Sequence, residues 1–291
     1  IVDKLDYLKW LGVDCLWITP FLRSPQRDNG YDISDYYAID PSYGTMADCD
    51  LLISEAAKRG IKLMLDIVVN HTSIEHEWFQ QARSSLNNPY RDFYIWRDQP
   101  NNWQSKFGGS AWEYEAQTGQ YFLHLFDHTQ ADLNWDNPNV RAEVYQLMRF
   151  WRDKGVGGFR LDVINLISKP ADFPEDNTDG RRFYTDGPNV HEYLQEMHRE
   201  VFEGHDLINV GEMSSTSLEH CIRYSNPASK ELSMTFNFHH LKVDYPNLQK
   251  WVKADFDFLQ LKQIFSDWQL GMQAGGGWNA LFWCCLLYTS D

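Results

Sequence analysis

The sequence has few cysteines and lacks any cluster of basic residues. The five cysteines have neither the spacing of a metal site nor that of a disulfide framework; they are Cys15, Cys49, Cys221, Cys284 and Cys285. Their odd number and their positions in predicted strands and helices favour buried free thiols in a reducing compartment.

The formal net charge is −15, and no long run of Lys and Arg occurs. Binding to nucleic acid or to an anionic membrane is therefore not indicated.

Long apolar runs are missing as well. No apolar stretch reaches about 18 residues, so we expect no transmembrane helix. The chain starts at Ile1 within a helical pattern in which Leu5, Leu8 and Leu11 share a face and Gly12 ends the helix. Nothing at this start resembles a signal peptide, although a chain that begins inside a helix does not exclude one upstream.

Hydrophobic and aromatic residues, by contrast, are plentiful. They make up 43% and 15% of the 291 residues. This is enough for one large core, and α/β barrels have about 250 residues. The twelve Trp and fifteen Tyr suit stacking on sugar rings and suit a large core equally, so both interpretations stay open.

Strand and helix patterns alternate along most of the chain. Apolar runs predict strands at residues 13–19, 61–69, 156–163, 207–212, 232–238 and 279–283. Helical patterns occupy residues 45–59, 139–154, 190–202 and 258–272. Residues 20–37 are rich in turn formers and are predicted to be a loop. The alternation favours an α/β barrel over an open sheet, although periodicity alone does not separate the two.

Residues 72–126 interrupt this alternation, with aromatic and turn residues interleaved. A stretch of that length is rarely a structureless loop, so we predict a small inserted domain. The chain is thereby divided into a first part of the barrel at 1–71, the insert at 72–126 and the continued barrel at 127–284.

Three short segments carry the polar residues that indicate a function. Residues 66–71, 158–162 and 210–212 each run from apolar to charged or polar residues at the end of a predicted strand. In an α/β barrel, these strand ends carry the chemistry. The carboxylates of Asp162 and Glu212 therefore suggest a retaining glycoside hydrolase, in which nucleophile and acid/base lie about 5–5.5 Å apart.

Neighbouring residues fit these two roles. Arg160 would keep Asp162 ionised, since a nearby cation favours the charged form of a carboxyl group. Glu212 would be protonated at rest, which requires burial or neighbouring negative charge. His71 suits a hydrogen-bond donor to a sugar hydroxyl, but taken alone it is better explained as a strand-end histidine with partners inside the protein.

The same three segments, with residues 130–134 between the first two, resemble the conserved regions of the α-amylase superfamily of glycoside hydrolases (family 13). The resemblance implies a (β/α)8 TIM barrel with a domain B inserted after the third barrel strand. It implies that Asp162 is the nucleophile and Glu212 the acid/base. It also implies that Asp28, Tyr31, His71 and Arg160 contact the substrate, and that Asp66, Asn70 and Gln130 are structural. No cofactor and no metal ligand is expected in this chain; a structural cation would bind upstream of Ile1.

Longer strings narrow the resemblance. Residues 173–176, 180–188, 211–221 and 235–246 resemble members that hydrolyse α,α-trehalose 6-phosphate to glucose and glucose 6-phosphate. A phosphorylated sugar needs cationic or donor groups beyond the cleavage site. We predict His239, Lys242 and Lys250 as phosphate contacts, with solvated surface as the equally weighted alternative. The expected partner is a small sugar phosphate, with neither nucleic acid nor membrane, and a cytoplasmic location follows from the same resemblance.

The two ends depart from the superfamily pattern. Residues 278–284 match a strand that precedes a third carboxylate in the superfamily, whereas 285–291 look like a translated sequencing adapter. The superfamily's first strand is missing before Ile1. We therefore expect a fragment truncated at both ends, with an open barrel that exposes its edge strands. Such a fragment would be poorly stable and inactive.

Three alternatives stay open. Val163, directly after Asp162, resembles members that prefer α-1,6 bonds, which keeps an oligo-1,6-glucosidase or related α-glucosidase in consideration. A non-catalytic relative, such as the ectodomain of an amino-acid transporter heavy chain, is disfavoured because Asp162, Arg160 and Glu212 are all present. Transfer differs from hydrolysis only in the acceptor that reaches the covalent intermediate, and the sequence does not distinguish them.

Overall fold

The computed structural model describes residues 1–245, 252 and 255–282. The strands are β1 (Cys15–Ile18), β2 (Leu22–Arg23), β3 (Asp35–Ile39), β4 (Lys62–Val68), β5 (His71–Ser73), β6 (Trp96–Arg97), β7 (Trp112–Glu115), β8 (Gln120–Leu123), β9 (Gln130–Asp132), β10 (Gly158–Asp162), β11 (Ile208–Met213) and β12 (Met234–Asn237). The α-helices are α1 (Leu5–Leu11), α2 (Met46–Lys58), α3 (Glu77–Ser84), α4 (Pro138–Lys154), α5 (Arg181–Tyr184), α6 (Val190–Met197), α7 (Leu218–Ser225) and α8 (Phe258–Ala274).

A parallel sheet forms the centre of the molecule. Its described strands follow the order β1-β4-β10-β11-β12, and helices α2, α4, α6 and α7 connect successive members. Parallel strands joined by such crossovers all end at the same edge of the sheet. The strands predicted at 13–19, 61–69, 156–163, 207–212 and 232–238 each overlap one of these five strands, so these predictions are confirmed.

Burial explains why β4, an interior strand of this sheet, is so apolar. All residues of β4 after Lys62 are buried, as expected for a strand that has neighbours on both sides and is covered on both faces. It pairs with β1 on one side and with β10 on the other. Asp66 is the exception to its apolar sequence, and its burial within this strand requires compensating partners.

The predicted helix boundaries follow from capping. The Thr45 hydroxyl accepts from the backbone N–H of Asp48, and the Asp48 carboxylate accepts from that of Thr45 at 2.8 Å, which forms a capping box at the start of α2. Helix α4 begins at Pro138 behind Asn137 as N-cap and ends at Gly155, whose φ of 104° is left-handed.

Three local predictions are wrong in part. The loop predicted over 20–37 contains β2 and begins β3, which pair as an antiparallel hairpin with a bulge. The helix predicted over 190–202 changes after Met197 into the π-helical turn His198–Phe202. The strand predicted at 279–283 is reduced, within residues 279–282, to an isolated bridge from Asn279 to Thr235; Trp283 lies outside the described residues.

The interrupting segment has its own small sheet. Within residues 72–126, β6, β8 and β7 pair as antiparallel strands. Strand β5 pairs with β9, which connects the start of this segment to the chain that follows it. Trp103 and Trp112 are buried in a hydrophobic cluster that also includes Val163 and Leu166 from the chain after β10. The division of the chain into separate domains stays a prediction.

Candidate active site

Charged side chains of three neighbouring strands meet at the C-terminal edge of the parallel sheet. Asp66 lies in β4, Asp162 ends β10, and Glu212 lies one residue before the end of β11. Arg160 of β10 is in register with Asp66 on one side and with Val210 on the other. Residues predicted from three separate segments are therefore brought together by the strand pairing.

Arg160 connects the three carboxylates. Its Nη1 donates to Asp66 Oδ1 at 2.8 Å and to Asp162 Oδ1 at 2.6 Å, and its Nη2 contacts a carboxyl oxygen of Glu212. The guanidinium is 2% exposed. Burial alone would lower the pKa of Arg160, yet the charges of Asp66 and Asp162 raise it above its ordinary value. We call Asp66, Asp162 and Glu212 around Arg160 the carboxylate cluster.

Aromatic rings surround this guanidinium. The Arg160 Cζ atom lies 5.3 Å from the ring centroid of Trp17, 5.5 Å from that of Tyr31 and 5.7 Å from that of Phe236. Rings at these distances attract a cation through their quadrupole. They hold the guanidinium in the position from which it reaches all three carboxylates.

Asp66 is enclosed by donors. It is fully buried, and besides Arg160 it accepts from the Trp17 indole N–H at 3.2 Å and from the Tyr31 hydroxyl at 3.1 Å. Burial raises the pKa of Asp66 to about 6, against the opposing charge of Arg160. An acid so enclosed has no free face toward a ligand, which fits the predicted structural role.

The tautomer of His71 is fixed by its neighbours. The Asn70 amide N–H donates to His71 Nδ1 at 3.1 Å, so Nε2 carries the proton. Nε2 donates to the Tyr31 carbonyl at 3.1 Å. The ring is 1% exposed and lies 5.1 Å from that of Phe126. The predicted donation to a sugar hydroxyl stays a prediction, since this N–H already has an acceptor in the protein.

Gln130 joins Asp28 to the Tyr31 carbonyl that also accepts from His71. Its Nε2 donates to Asp28 Oδ2 at 2.8 Å and to the Tyr31 carbonyl at 3.2 Å. Burial raises the pKa of Asp28, and the hydrogen bond from Gln130 opposes that shift. The expected substrate contacts Asp28, Tyr31 and His71 and the expected structural residue Gln130 thus form one hydrogen-bonded group.

A buried lysine that the sequence reasoning missed lies beside this group. Lys169 Nζ is 2.8 Å from Asp132 Oδ2 and donates to Asn70 Oδ1 at 3.0 Å. Asn70 in turn donates to Asp132 Oδ2 at 3.1 Å. These contacts fix the orientation of the Asn70 amide, which agrees with its predicted structural role. The only signal for Lys169 in the sequence is a single charge after the largely apolar segment 163–167.

The residues predicted to contact phosphate lie after β12. His239 Nδ1 donates to Asn237 Oδ1 at 3.0 Å, and its ring centroid lies 5.0 Å from that of Trp268. Lys242 ends the 3₁₀-helix His239–Lys242 and is half-buried. Lys250 lies outside the described residues.

Two further cations lie close enough to Lys242 for their charges to interact. Burial and the positive charge of Arg181 lower the pKa of Lys242. Burial, together with the charges of Arg181 and Lys242, lowers the pKa of Lys106 to about 7. The Lys106 ammonium donates to Ser214 Oγ at 2.9 Å, two residues after Glu212. We call Lys106, Arg181 and Lys242 the basic patch.

Comparison with known proteins assigns the class. Residues 1–285 match the family model of the alpha-amylase catalytic domain. The chain belongs to the α-amylase family, as its conserved segments predict. The family and the structural similarity reported below confirm the predicted TIM-barrel fold.

Individual relatives of the chain have narrower names than the family. The chain is 65% identical to the trehalose-6-phosphate hydrolase of Bacillus subtilis (strain 168), over 98% of this chain and 52% of that protein. It is 50% identical to the oligo-1,6-glucosidase of Parageobacillus thermoglucosidasius, over 97% and 52%. The crystal structure of Bacillus licheniformis trehalose-6-phosphate hydrolase matches with a TM-score of 0.96 and 64% identity, over 98% and 52%. The chain spans about half the length of the relatives it matches.

None of the helices in the described part of the chain is both long and apolar enough to cross a bilayer. Within the same residues, no group of three or more His, Cys, Asp or Glu side chains is arranged to hold a metal ion.

Proposed function

We propose that the protein is a retaining glycoside hydrolase that cleaves α,α-trehalose 6-phosphate to glucose and glucose 6-phosphate. The carboxylate cluster carries this proposal, because Asp162 and Glu212 lie at the C-terminal ends of adjacent strands, within one residue of the last, and share Arg160 as a common partner. The similarity to proteins named trehalose-6-phosphate hydrolase supports the choice of substrate.

In the first step, Asp162 attacks the anomeric carbon. Arg160 occupies Asp162 Oδ1, which leaves Oδ2 as the attacking oxygen. The bond between the anomeric carbon and the glycosidic oxygen breaks, and Glu212 gives its proton to that oxygen. Glucose 6-phosphate leaves, and a covalent glucosyl ester remains on Asp162. Proton transfer of this kind contributes a factor of about 10²–10⁴ to the rate.

In the second step, Glu212 acts as a base. It takes a proton from water, and the water oxygen attacks the anomeric carbon while the bond to Asp162 breaks. Two inversions give net retention. Glucose is released, and Glu212 is protonated again for the next cycle.

The basic patch supports a phosphorylated leaving sugar. In a chain of net charge −15, Lys242 and Lys106 lie close enough to interact through their charges, and Lys106 bonds the chain segment just after Glu212. A phosphate dianion there would relieve the repulsion among these cations. His239, Lys242 and Lys250 stay our proposed phosphate contacts. Since a charged disaccharide does not cross membranes freely, we also propose a cytoplasmic location.

The proposal is tested by substrate preference. The complete gene product, meaning residues 1–284 with the coding sequence that flanks them, is assayed for kcat/KM with trehalose 6-phosphate, trehalose and isomaltose. We expect a strong preference for the phosphorylated sugar. Product analysis by NMR should give the α-anomer of glucose first, as retention requires. No hydrolysis of any of the three sugars would refute the proposal.

A preference for isomaltose would support the second candidate, an oligo-1,6-glucosidase. Two observations favour that candidate: Val163 directly after Asp162, and the 50% identity to a protein of that name. In that case the basic patch would have no substrate role.

A further inference from the structure

The backbone pairing of β10 with β11 ends just before the two proposed catalytic carboxylates. Leu161 and Gly211 are the last paired residues of this ladder, and Asp162 and Glu212 follow them directly. A parallel ladder fixes the relative position of two strands only where its hydrogen bonds are formed. Asp162 still pairs with Val68 of β4, and Glu212 with Phe236 of β12, so what is missing beyond this ladder is a direct connection between β10 and β11.

Asn165 supplies a connection at this place. It lies in the 3₁₀-helix Ile164–Leu166 that follows β10, and its side chain is fully buried. Its Oδ1 accepts from the backbone N–H of Ser214 at 2.9 Å, and its Nδ2 donates to the backbone carbonyl of Ser214 at 2.9 Å. The side chain thus replaces the missing backbone pairing, three residues after Asp162 and two after Glu212.

Asp186 fixes the orientation of this amide. Its Oδ1 accepts from Asn165 Nδ2 at 3.0 Å. In addition, the backbone N–H of Asp186 donates to the backbone carbonyl of Asn165 at 2.9 Å. The same carboxylate accepts from the hydroxyls of Thr216 at 3.0 Å and Tyr224 at 2.7 Å. With acceptors on the Nδ2 side and a donor on the Oδ1 side, only one amide orientation satisfies every group.

The backbone around Asn165 is under strain that the connection helps to maintain. Val163 has a φ of 37°, in the left-handed region, which is costly for a β-branched residue. This turn redirects the chain directly after Asp162. A strained turn persists only where surrounding contacts determine it, and the bonds of Asn165 to Ser214 and Asp186 are among them.

We infer that Asn165 is a positioning residue, which holds the acid/base loop at a fixed distance from the nucleophile. This inference rests on the proposed function. Asn165 touches neither substrate nor reacting atoms; it acts through Ser214 on the neighbouring Glu212. The oxygen of the leaving sugar needs a proton delivered along one direction, and that transfer suffers most if Glu212 shifts.

The test compares Asn165→Ala with wild type on two α-glucosides, isomaltose and 2,4-dinitrophenyl α-glucoside. The dinitrophenolate of the second glucoside leaves with little protonation. The ratio kcat/KM reports only the steps up to the covalent intermediate. Since a 1 Å misplacement can cost about 100-fold, we expect a loss of about that size on isomaltose. On the activated glucoside we expect kcat/KM to fall less than about fivefold, because proton transfer contributes little to that reaction.

Asn209→Ala is the matched control. Asn209 is 3% exposed and its Oδ1 accepts from the Ser233 backbone N–H, so it too joins neighbouring strand segments, but at the N-terminal end of β11. We expect its loss to be equal on both glucosides. If Asn165→Ala fails to fold, Asn165→Leu replaces it, which keeps a branched side chain but removes both hydrogen bonds to Ser214.

Equal losses on the two glucosides, in whichever of these two variants folds, would overturn the inference and leave the proposed function intact. A wild-type protein that hydrolyses neither the glucosides nor trehalose 6-phosphate would overturn both. A loss on isomaltose at least about tenfold larger than on the activated glucoside, absent from Asn209→Ala, supports the inference.

Discussion

The ammonium group of Lys169 lies 2.8 Å from a carboxylate oxygen of Asp132, and both side chains are buried. Asn70 bonds to both members of this pair. Because Asn70 also fixes the tautomer of His71, the ion pair orients a ring at the candidate active site that it does not touch.

Replacing Lys169 by an uncharged residue should therefore destabilise the protein. Lys169→Met leaves Asp132 as a buried charge without its cation, and we expect the free energy of unfolding to fall by about 3–5 kcal/mol. The double variant Lys169→Met/Asp132→Asn removes both charges and should recover part of the loss. Urea denaturation of the complete gene product measures both, and a double variant no more stable than the single one contradicts the explanation. Lys58→Met is the surface control, since Lys58 is exposed in its pair with Glu55; it should cost at most about 1 kcal/mol.

Asp66 should make stability depend on pH in an unusual direction. Burial raises its pKa from 3.8 to about 6 in the folded protein, so the folded state binds this proton more tightly than the unfolded chain. The group's contribution is fully present below pH 4 and is lost as the pH rises through about 6.

Asp66→Asn tests this dependence, because the amide keeps the volume but does not titrate. Urea midpoints measured from pH 4 to pH 7 should fall less steeply in the variant than in wild type. Asp6→Asn is the control: Asp6 is exposed, and Arg59 lowers the pKa of its carboxyl group, so this variant should not flatten the decline. Parallel curves for wild type and Asp66→Asn would contradict the assignment.

Lys242 should matter only when the substrate carries phosphate. Lys242→Ala removes a cation from the basic patch, so KM for trehalose 6-phosphate should rise by roughly tenfold or more, the loss of one charge-assisted hydrogen bond. KM for isomaltose should stay nearly constant. Steady-state kinetics with both sugars decides, and an equal change in the two KM values would rule out a phosphate contact. Lys58→Met serves as the control lysine.

Phosphate recognition should also weaken above neutral pH. Burial and the charges of Arg181 and Lys242 lower the pKa of Lys106 to about 7, so its ammonium is charged below pH 7 and loses its proton as the pH rises. We expect KM for trehalose 6-phosphate to increase between pH 7 and pH 9, whereas KM for isomaltose should not follow it. In Lys106→Met this increase should disappear; its persistence would point to another titrating group.

The sequence predicted the elements that are governed by local rules. The buried apolar run of β4 determines that strand. The capping residue Thr45, the first helical residue Pro138 and the C-cap Gly155 determine helix ends through contacts within a few residues. The hairpin of β2 and β3 was missed because β2 has only two residues and its pairing is bulged, which leaves no alternating pattern to detect.

The candidate site was predicted where residues follow a strand, and missed where they act across loops. Asp162 and Glu212 stand at strand ends, so their proximity follows from parallel pairing. Asn165 and Lys169 bind partners 49 and 99 residues away in the chain, and no periodicity connects such positions. The nearest signal for Asn165 was its place three residues after Asp162.

The carboxylate cluster has one more consequence. Three acidic side chains share a single guanidinium there, so above the pKa of Asp66 this end of the site is net negative, whereas the basic patch near Ser214 holds two lysines and an arginine, of which Arg181 is paired with Asp179. A disaccharide with one phosphate would thus meet a field that distinguishes its two otherwise similar rings. If the protein acts on such a sugar, as we propose, binding with the plain glucose toward Asp162 is favoured electrostatically, and the orientation of the substrate is selected before any hydroxyl group is recognised.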